Sequence, residues 1–247
     1  LPICLRDDRM TVRRWLMVLL ALPLAVRAGG PLLVQPAGPG ESPAAPWKLV
    51  GLPKQASAAT RFSTVELDGQ PVLRVETQAS YGNLVHPVTA QPNAHQLRWR
   101  WRLDAPLTAA DLRRRDGDDS ALRVCAMFDL PMEAVPFIER QVLRIARLRT
   151  GEALPAASVC YVWDARLAPG TVLDNVYTRR VRLIVLRGPE AGLQTWYGEQ
   201  RDLRADFRRL FGDESPVVPP LIGIGIAADA DNTLGRSVGH LARIALD

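Results

Sequence analysis

The chain has 247 residues, with 31 Lys and Arg against 26 Asp and Glu for a formal charge of +5, and 47% of it is hydrophobic. That length and apolar content suit one domain with a sizeable core. No long run of lysines and arginines forms a nucleic-acid footprint, so no nucleic-acid partner is expected.

The first methionine is Met10, and residues 1–9 read as an upstream, non-native extension. From Met10 to Ala28 the pattern is that of a signal peptide. Arg13 and Arg14 precede an apolar stretch, Trp15 to Val26, and Val26-Arg27-Ala28 supplies small residues for cleavage. The stretch is too short for a permanent membrane span, which needs about 20 apolar residues. A periplasmic or secreted protein is therefore expected, with no stable membrane span after cleavage. Loss of the leader would take the formal charge to +2, so the basic balance resides largely in the leader.

Residues 29–46 are rich in Gly, Pro and Ala and read as a flexible lead-in, which places a single folded domain at 47–247. From there the hydrophobic period is mostly two. "RFSTVELDGQPVLRVETQ" predicts a hairpin about Asp68-Gly69, a pair that accepts positive φ. In "LRWRWRL" the residues Leu97, Trp99, Trp101 and Leu103 face one way and Arg98, Arg100 and Arg102 the other. "ALRVCAMFDL", "ASVCYVWDARL", "RRVRLIVLRG", "GLQTWYG", "IGIGIAA" and "GHLARIALD" continue the series between turn residues. The fold expected is all-β, an antiparallel β-sandwich. Two short helices interrupt it. In "MEAVPFIERQVLRIARLRTG" Ile138, Val142 and Ile145 share the face expected to pack on a sheet. In "EQRDLRADFRRLFG" that face carries Leu203, Phe207, Leu210 and Phe211.

Two acidic loops draw chemical interest. Asp116, Asp118 and Asp119 crowd "DGDDSALRV" and repel one another unless a cation or Arg123 relieves them. "DADNTLGRS" offers side-chain oxygens from Asp229, Asp231, Asn232 and Thr233. It is not an EF-hand loop, which wants Gly at its sixth position and Glu at its twelfth, where this chain has Leu234 and His240. Asp and Asn also bond their own backbone in turns, so a metal site and a well-made turn both fit. Asp118, Asp119, Asp229, Asp231 and Asn232 are the candidate metal ligands.

Cys125 and Cys160 lie in strand-like runs and permit one disulfide if those strands are neighbours. The aromatic strands raise the prospect of sugar stacking, so Tyr161, Trp163 and Trp196, with Arg123, are the candidate ligand-binding residues. Burial is the competing use of each aromatic ring. No nucleophile elbow is present, and His86, His95 and His240 lack zinc spacing.

The collinear set "TRFSTVELDGQPVLRVET", "LRWRWRLDAPL", "GDDSALRVCAMFD", "CYVWD", "QRDLRADFRRLFG" and "DADNTLG" resembles the bacterial domain-of-unknown-function family 3047. The resemblance implies an exported protein with a jelly-roll-like sandwich of the galactose-binding, carbohydrate-binding-module type. It also implies a structural Ca2+ beside one acidic loop. The family's last motif reads D-T-D-N-T-G, from which Ala230 and the inserted Leu234 depart. The expected function is non-catalytic binding of a glycan or cell-envelope component. The alternatives are a carboxylate-dependent enzyme on envelope saccharides using Asp118, Asp119, Asp229 and Asp231, or a structural, protein-interaction domain.

Overall fold

A computed structural model describes residues 40, 42–51, 55–88, 94–150 and 153–247. The leader expected at 10–28, the extension at 1–9 and most of the lead-in lie outside the described residues. In chain order the elements are β1 (Lys48–Val50), β2 (Ala58–Ala59), β3 (Arg61–Leu67), β4 (Gln70–Gln78), β5 (Ser80–Pro87) and β6 (Gln96–Ala105). Then come β7 (Ser120–Phe128), α1 (Phe137–Thr150), β8 (Ala157–Trp163), β9 (Val172–Asp174) and β10 (Val181–Arg187). The chain closes with β11 (Tyr197–Asp202), α2 (Leu203–Phe211), β12 (Leu221–Asp229) and β13 (Arg236–Leu246).

Among the described residues these strands form a two-sheet, jelly-roll-like sandwich. One sheet runs β1-β5-β12-β7-β8-β10-β9, with β2 also paired to β5, and the other runs β11-β6-β13-β4-β3. Two pairs depart from the antiparallel expectation, because β8–β10 and β2–β5 are parallel. After β8 the chain steps past one strand position, lays down β9 and turns back. β10 thereby enters the gap antiparallel to β9 and parallel to β8.

The core lies between the sheets, and strand alternation fills it. Leu97, Trp99, Trp101 and Leu103 of β6 are all buried, while the intervening arginines stay half-exposed. Facing them, Leu122, Val124, Ala126 and Phe128 of β7 and Tyr161 and Trp163 of β8 are buried as well. Trp99 packs on Tyr161 at 5.3 Å and Trp101 on Trp163 at 5.6 Å between ring centroids. Each such side chain contributes about 1.5–3 kcal/mol by leaving water. The β3–β4 hairpin turns at Asp68 and Gly69, with φ of 53° and 70°.

Helix α2 packs as its pattern predicts: Leu203, Phe207, Leu210 and Phe211 are buried. It begins four residues later than its sequence pattern suggests. β11 occupies Tyr197–Asp202 by pairing with β6, and the Asp202 carboxylate then caps the helix by accepting from the N–H groups of Arg204 and Ala205. The strand expected at 192–198 moves with it: only its last residues, from Tyr197, join the sheet.

Helix α1 reverses its expected orientation. Ile138, Val142 and Ile145 are 76, 57 and 49% exposed, and Leu143 is the buried residue. Two polar tethers on the Leu143 side explain this. Glu139 accepts from Arg180, and Arg147 donates to the Leu154 carbonyl. Residues 139, 143 and 147 recur every four positions, so they share one helix face, and that face turns inward.

Candidate functional site

The outer face of the larger sheet carries the site. Alternation that buries Leu122, Val124 and Ala126 sends Arg123, Cys125 and Met127 of β7 outward. The same register brings Tyr81 and Asn83 of β5, Asp229 of β12 and Ser158 and Cys160 of β8 to that face. Cys125 and Cys160 stand directly opposite across β7 and β8, with Cα atoms 4.0 Å apart, and form a disulfide. Over this face lies a groove of about 590 Å³. The cystine, Met127, Val85 and Val181 give it an apolar floor, and the loop at 175–178 forms one wall.

The polar end of the groove is where the two acidic loops meet. Asp119 clamps them together. Its carboxylate accepts from the Asn232 backbone N–H at 3.1 Å and its Nδ2 at 3.2 Å, and from the Thr233 N–H at 2.7 Å and its Oγ1 at 2.5 Å. Asn232 Nδ2 also donates to the Asp118 carbonyl at 3.2 Å. Asp229 is buried. It accepts from the Ser120 N–H at 2.7 Å and from Arg123 Nη2 at 3.0 Å. Asp118 is 7% exposed, and its Oδ2 accepts from Asn175 Nδ2 at 2.7 Å. Among the described residues its Oδ1 finds no hydrogen-bond donor although it is buried.

This crowding shifts protonation. Burial lifts the Asp229 carboxyl to about 7, against the pull of Arg123 and with the push of the Asp118 and Asp119 charges. Burial likewise raises the Asp118 and Asp231 carboxyls and the Tyr81 phenol above their ordinary values. For Arg123 burial works against the charge, and Asp229, Tyr81 and Asp118 more than restore it. The site therefore holds a fixed guanidinium among carboxylates that keep protons more readily than usual.

The donor set does not suit a calcium ion. Asp119 and Asp229 already use their oxygens on N–H, hydroxyl and guanidinium donors, and Arg123 puts a positive charge inside the cluster. Among the described residues no group of three or more His, Cys, Asp or Glu is placed to hold a metal.

The five candidate metal ligands and Arg123 are thus brought together, with Arg123, Asp118, Asp229, Asp231 and Asn232 lining the groove. The aromatic candidates are not there. Tyr161 and Trp163 point inward from β8 and are buried in the core, where Tyr161 donates to Asp206 at 2.7 Å, so a ligand cannot stack on them. Trp196 is half-buried beside the other sheet, donating to Asp68 at 2.8 Å with the Arg100 guanidinium over its ring. The aromatic side chains that do line the groove are Tyr81 and Tyr177, the latter 55% exposed. Tyr81 and Asn83 could have been found from the alternation in "SYGNLVHP". Asn175 and Tyr177 sit in an irregular loop and leave no periodic signal.

A family model described as "Protein of unknown function (DUF3047)" matches residues 45–245. No curated protein matches the chain. Among solved structures, the K2 cleaved adhesin domain of Lys-gingipain is similar at 9% identity and a TM-score of 0.40, over 88% of this chain and 97% of that one. The catalytic domain of Humicola grisea Cel12A, in complex with a thio cellotetraose, gives 8% identity and a TM-score of 0.40 over 87% and 97%. The xyloglucanase domain of NopAA from Sinorhizobium fredii, in complex with cellobiose, gives 7% and 0.39 over 87% and 91%. Likenesses this loose carry no argument about ligand or activity.

Proposed function

The chain belongs to the DUF3047 family, whose description names no activity, and we propose that it is a binding domain for a glycan, held in the groove on the outer face of the larger sheet. The observation that carries this reading is the unsatisfied Asp118 Oδ1 at the polar end of an otherwise apolar groove. A buried acceptor without a donor is unfavourable by about 1–3 kcal/mol, and a sugar hydroxyl would supply the missing donor. Asn83 lines the same groove with its side-chain amide, and Tyr177 offers an aromatic face for the ring to lie against. Export is part of the same proposal. It is supported by the leader pattern at 10–28 and by the Cys125–Cys160 disulfide, which suits an oxidising compartment. Among the described residues no helix is long and apolar enough to cross a membrane.

Calorimetric titration with a panel of bacterial and plant oligosaccharides tests the binding claim. Tyr177→Ala should weaken the best binder by about threefold to tenfold, the value of one aromatic contact. A flat response across the panel would end this reading.

A second reading has its own observation. Asp229 lines the groove with Asp118 and Asp231, and burial lifts its carboxyl to about 7, the condition in which a carboxylic acid can donate a proton near neutrality. Hydrolysis of a bound glycan, lost in Asp229→Asn and detected as reducing ends, would move the protein to the enzyme class.

A further inference from the structure

We infer that the groove selects a glycan bearing ammonium groups, a deacetylated amino-sugar chain, with the ammonium seated against Asp118. The inference rests on the glycan-binding reading and names the class of glycan.

The groove is lined by three carboxylates, Asp118, Asp229 and Asp231, and one guanidinium, Arg123. Arg123 is already committed to Asp229 at 3.0 Å. Asp118 and Asp231 feel the Arg123 charge only at a distance, and among the described residues neither has an ion pair of its own. Asp118 has one oxygen on Asn175 and the other closed in without a donor, in a position 7% exposed. A desolvated carboxylate is compensated far better by a charged donor than by a neutral hydroxyl. The raised carboxyl pKa values of Asp118 and Asp231 record the same deficit, since burial is the largest cause in each.

The geometry also separates an amino sugar from a lysine-rich peptide. An extended peptide binds a sheet through main-chain bonds along an open edge. This groove crosses the face of the sheet, over β5, β12, β7 and β8, all of which are paired on both sides. What it presents is side-chain amides, carboxylates and a tyrosine ring, which match hydroxyls, ammonium and a pyranose face.

The experiment is calorimetry of the full chain at low salt with four ligands: the glucosamine tetrasaccharide, its N-acetylated form, cellotetraose and tetralysine. The glucosamine tetrasaccharide should bind at least about tenfold more tightly than each of the others, as a charged hydrogen bond predicts. Added salt should weaken it, since the attraction is screened. Asp118→Asn keeps an acceptor for Asn175 while removing the charge, and it should bring the charged and acetylated sugars to within about threefold. If that variant does not fold by circular dichroism, Asp231→Asn, at a partly exposed position, should shrink the preference in the same direction. Equal or tighter binding of the neutral sugars overturns this inference and leaves the glycan reading standing. Tetralysine binding as tightly as the amino sugar overturns it too, because any cation would then serve. Absence of binding by all three sugars overturns the glycan reading beneath it.

Discussion

Asp119→Ala is the perturbation that most directly probes how the two acidic loops are built. The carboxylate of Asp119 accepts four hydrogen bonds, two from backbone N–H groups and two from the side chains of Asn232 and Thr233. It is itself 1% exposed. Bonds to a carboxylate contribute about 1.5–3 kcal/mol each, but they share one acceptor and are not additive. The loop at 231–235 is half-open, so water can recover part of what its N–H groups lose. A net loss of about 2–4 kcal/mol follows. For a chain of this size that lowers the melting midpoint by roughly 5–15 °C. Urea unfolding followed by tryptophan fluorescence measures it, since Trp99, Trp101 and Trp163 are buried and report loss of the core. Thr233→Val removes one of the four bonds and should cost about 1 kcal/mol. A loss below about 0.5 kcal/mol for Asp119→Ala, the range of ordinary surface substitutions, would refute the clamp.

Three further outcomes are expected. Asp229 holds its proton up to about 7 when folded and releases it near 3.8 when unfolded, so its contribution to stability is full below about 3.8 and declines as pH rises through 7. Asp229→Asn removes that decline, so between pH 4 and 7 the variant should gain on the wild type by up to about 1.4 kcal/mol per pH unit in urea melts; parallel curves would contradict the raised pKa. In α1, Leu143→Ala should cost about 2 kcal/mol while Val142→Glu costs less than about 0.5. The opposite ranking would restore the orientation suggested by the apolar spacing. Melting in EDTA and again with calcium restored should give one midpoint, and a calcium-dependent rise of several degrees would mean that Asp118 and Asp231 hold an ion after all.

The strand-dominated fold was legible because alternation is a local signal: β6 carries it in Leu97, Trp99, Trp101 and Leu103, apolar at every second position with arginines between. The Asp68-Gly69 turn was legible for a similar reason, since its backbone angles are a property of those two residues. What alternation cannot say is which strand neighbours which. The parallel placement of β10 beside β8 depends on a chain reversal through β9, three residues long and without a period of its own. The same blindness decided the aromatics. Tyr161 and Trp163 share one face of β8, and the sequence shows that they share it but not that it is the inner one. For α1 the apolar stripe was real and its direction was set by Glu139 and Arg147, tethers to Arg180 and the Leu154 carbonyl that lie elsewhere in the chain. The carboxylates at 118–119 and 229–231 stood out as composition, yet their meeting rests on β7 and β12 being neighbours in the sheet. Asn175 and Tyr177 reach the site from a loop with no pattern to betray it.

Whether the outer face of the larger sheet binds a glycan is decided by following backbone amide signals in a two-dimensional NMR titration with the tightest oligosaccharide of the panel. Shifts concentrated on Tyr81, Asn83, Arg123, Asn175 and Asp231, at the polar end of the groove, are expected. Shifts centred on Trp196 and the smaller sheet, or none at saturating sugar, would contradict binding at that face.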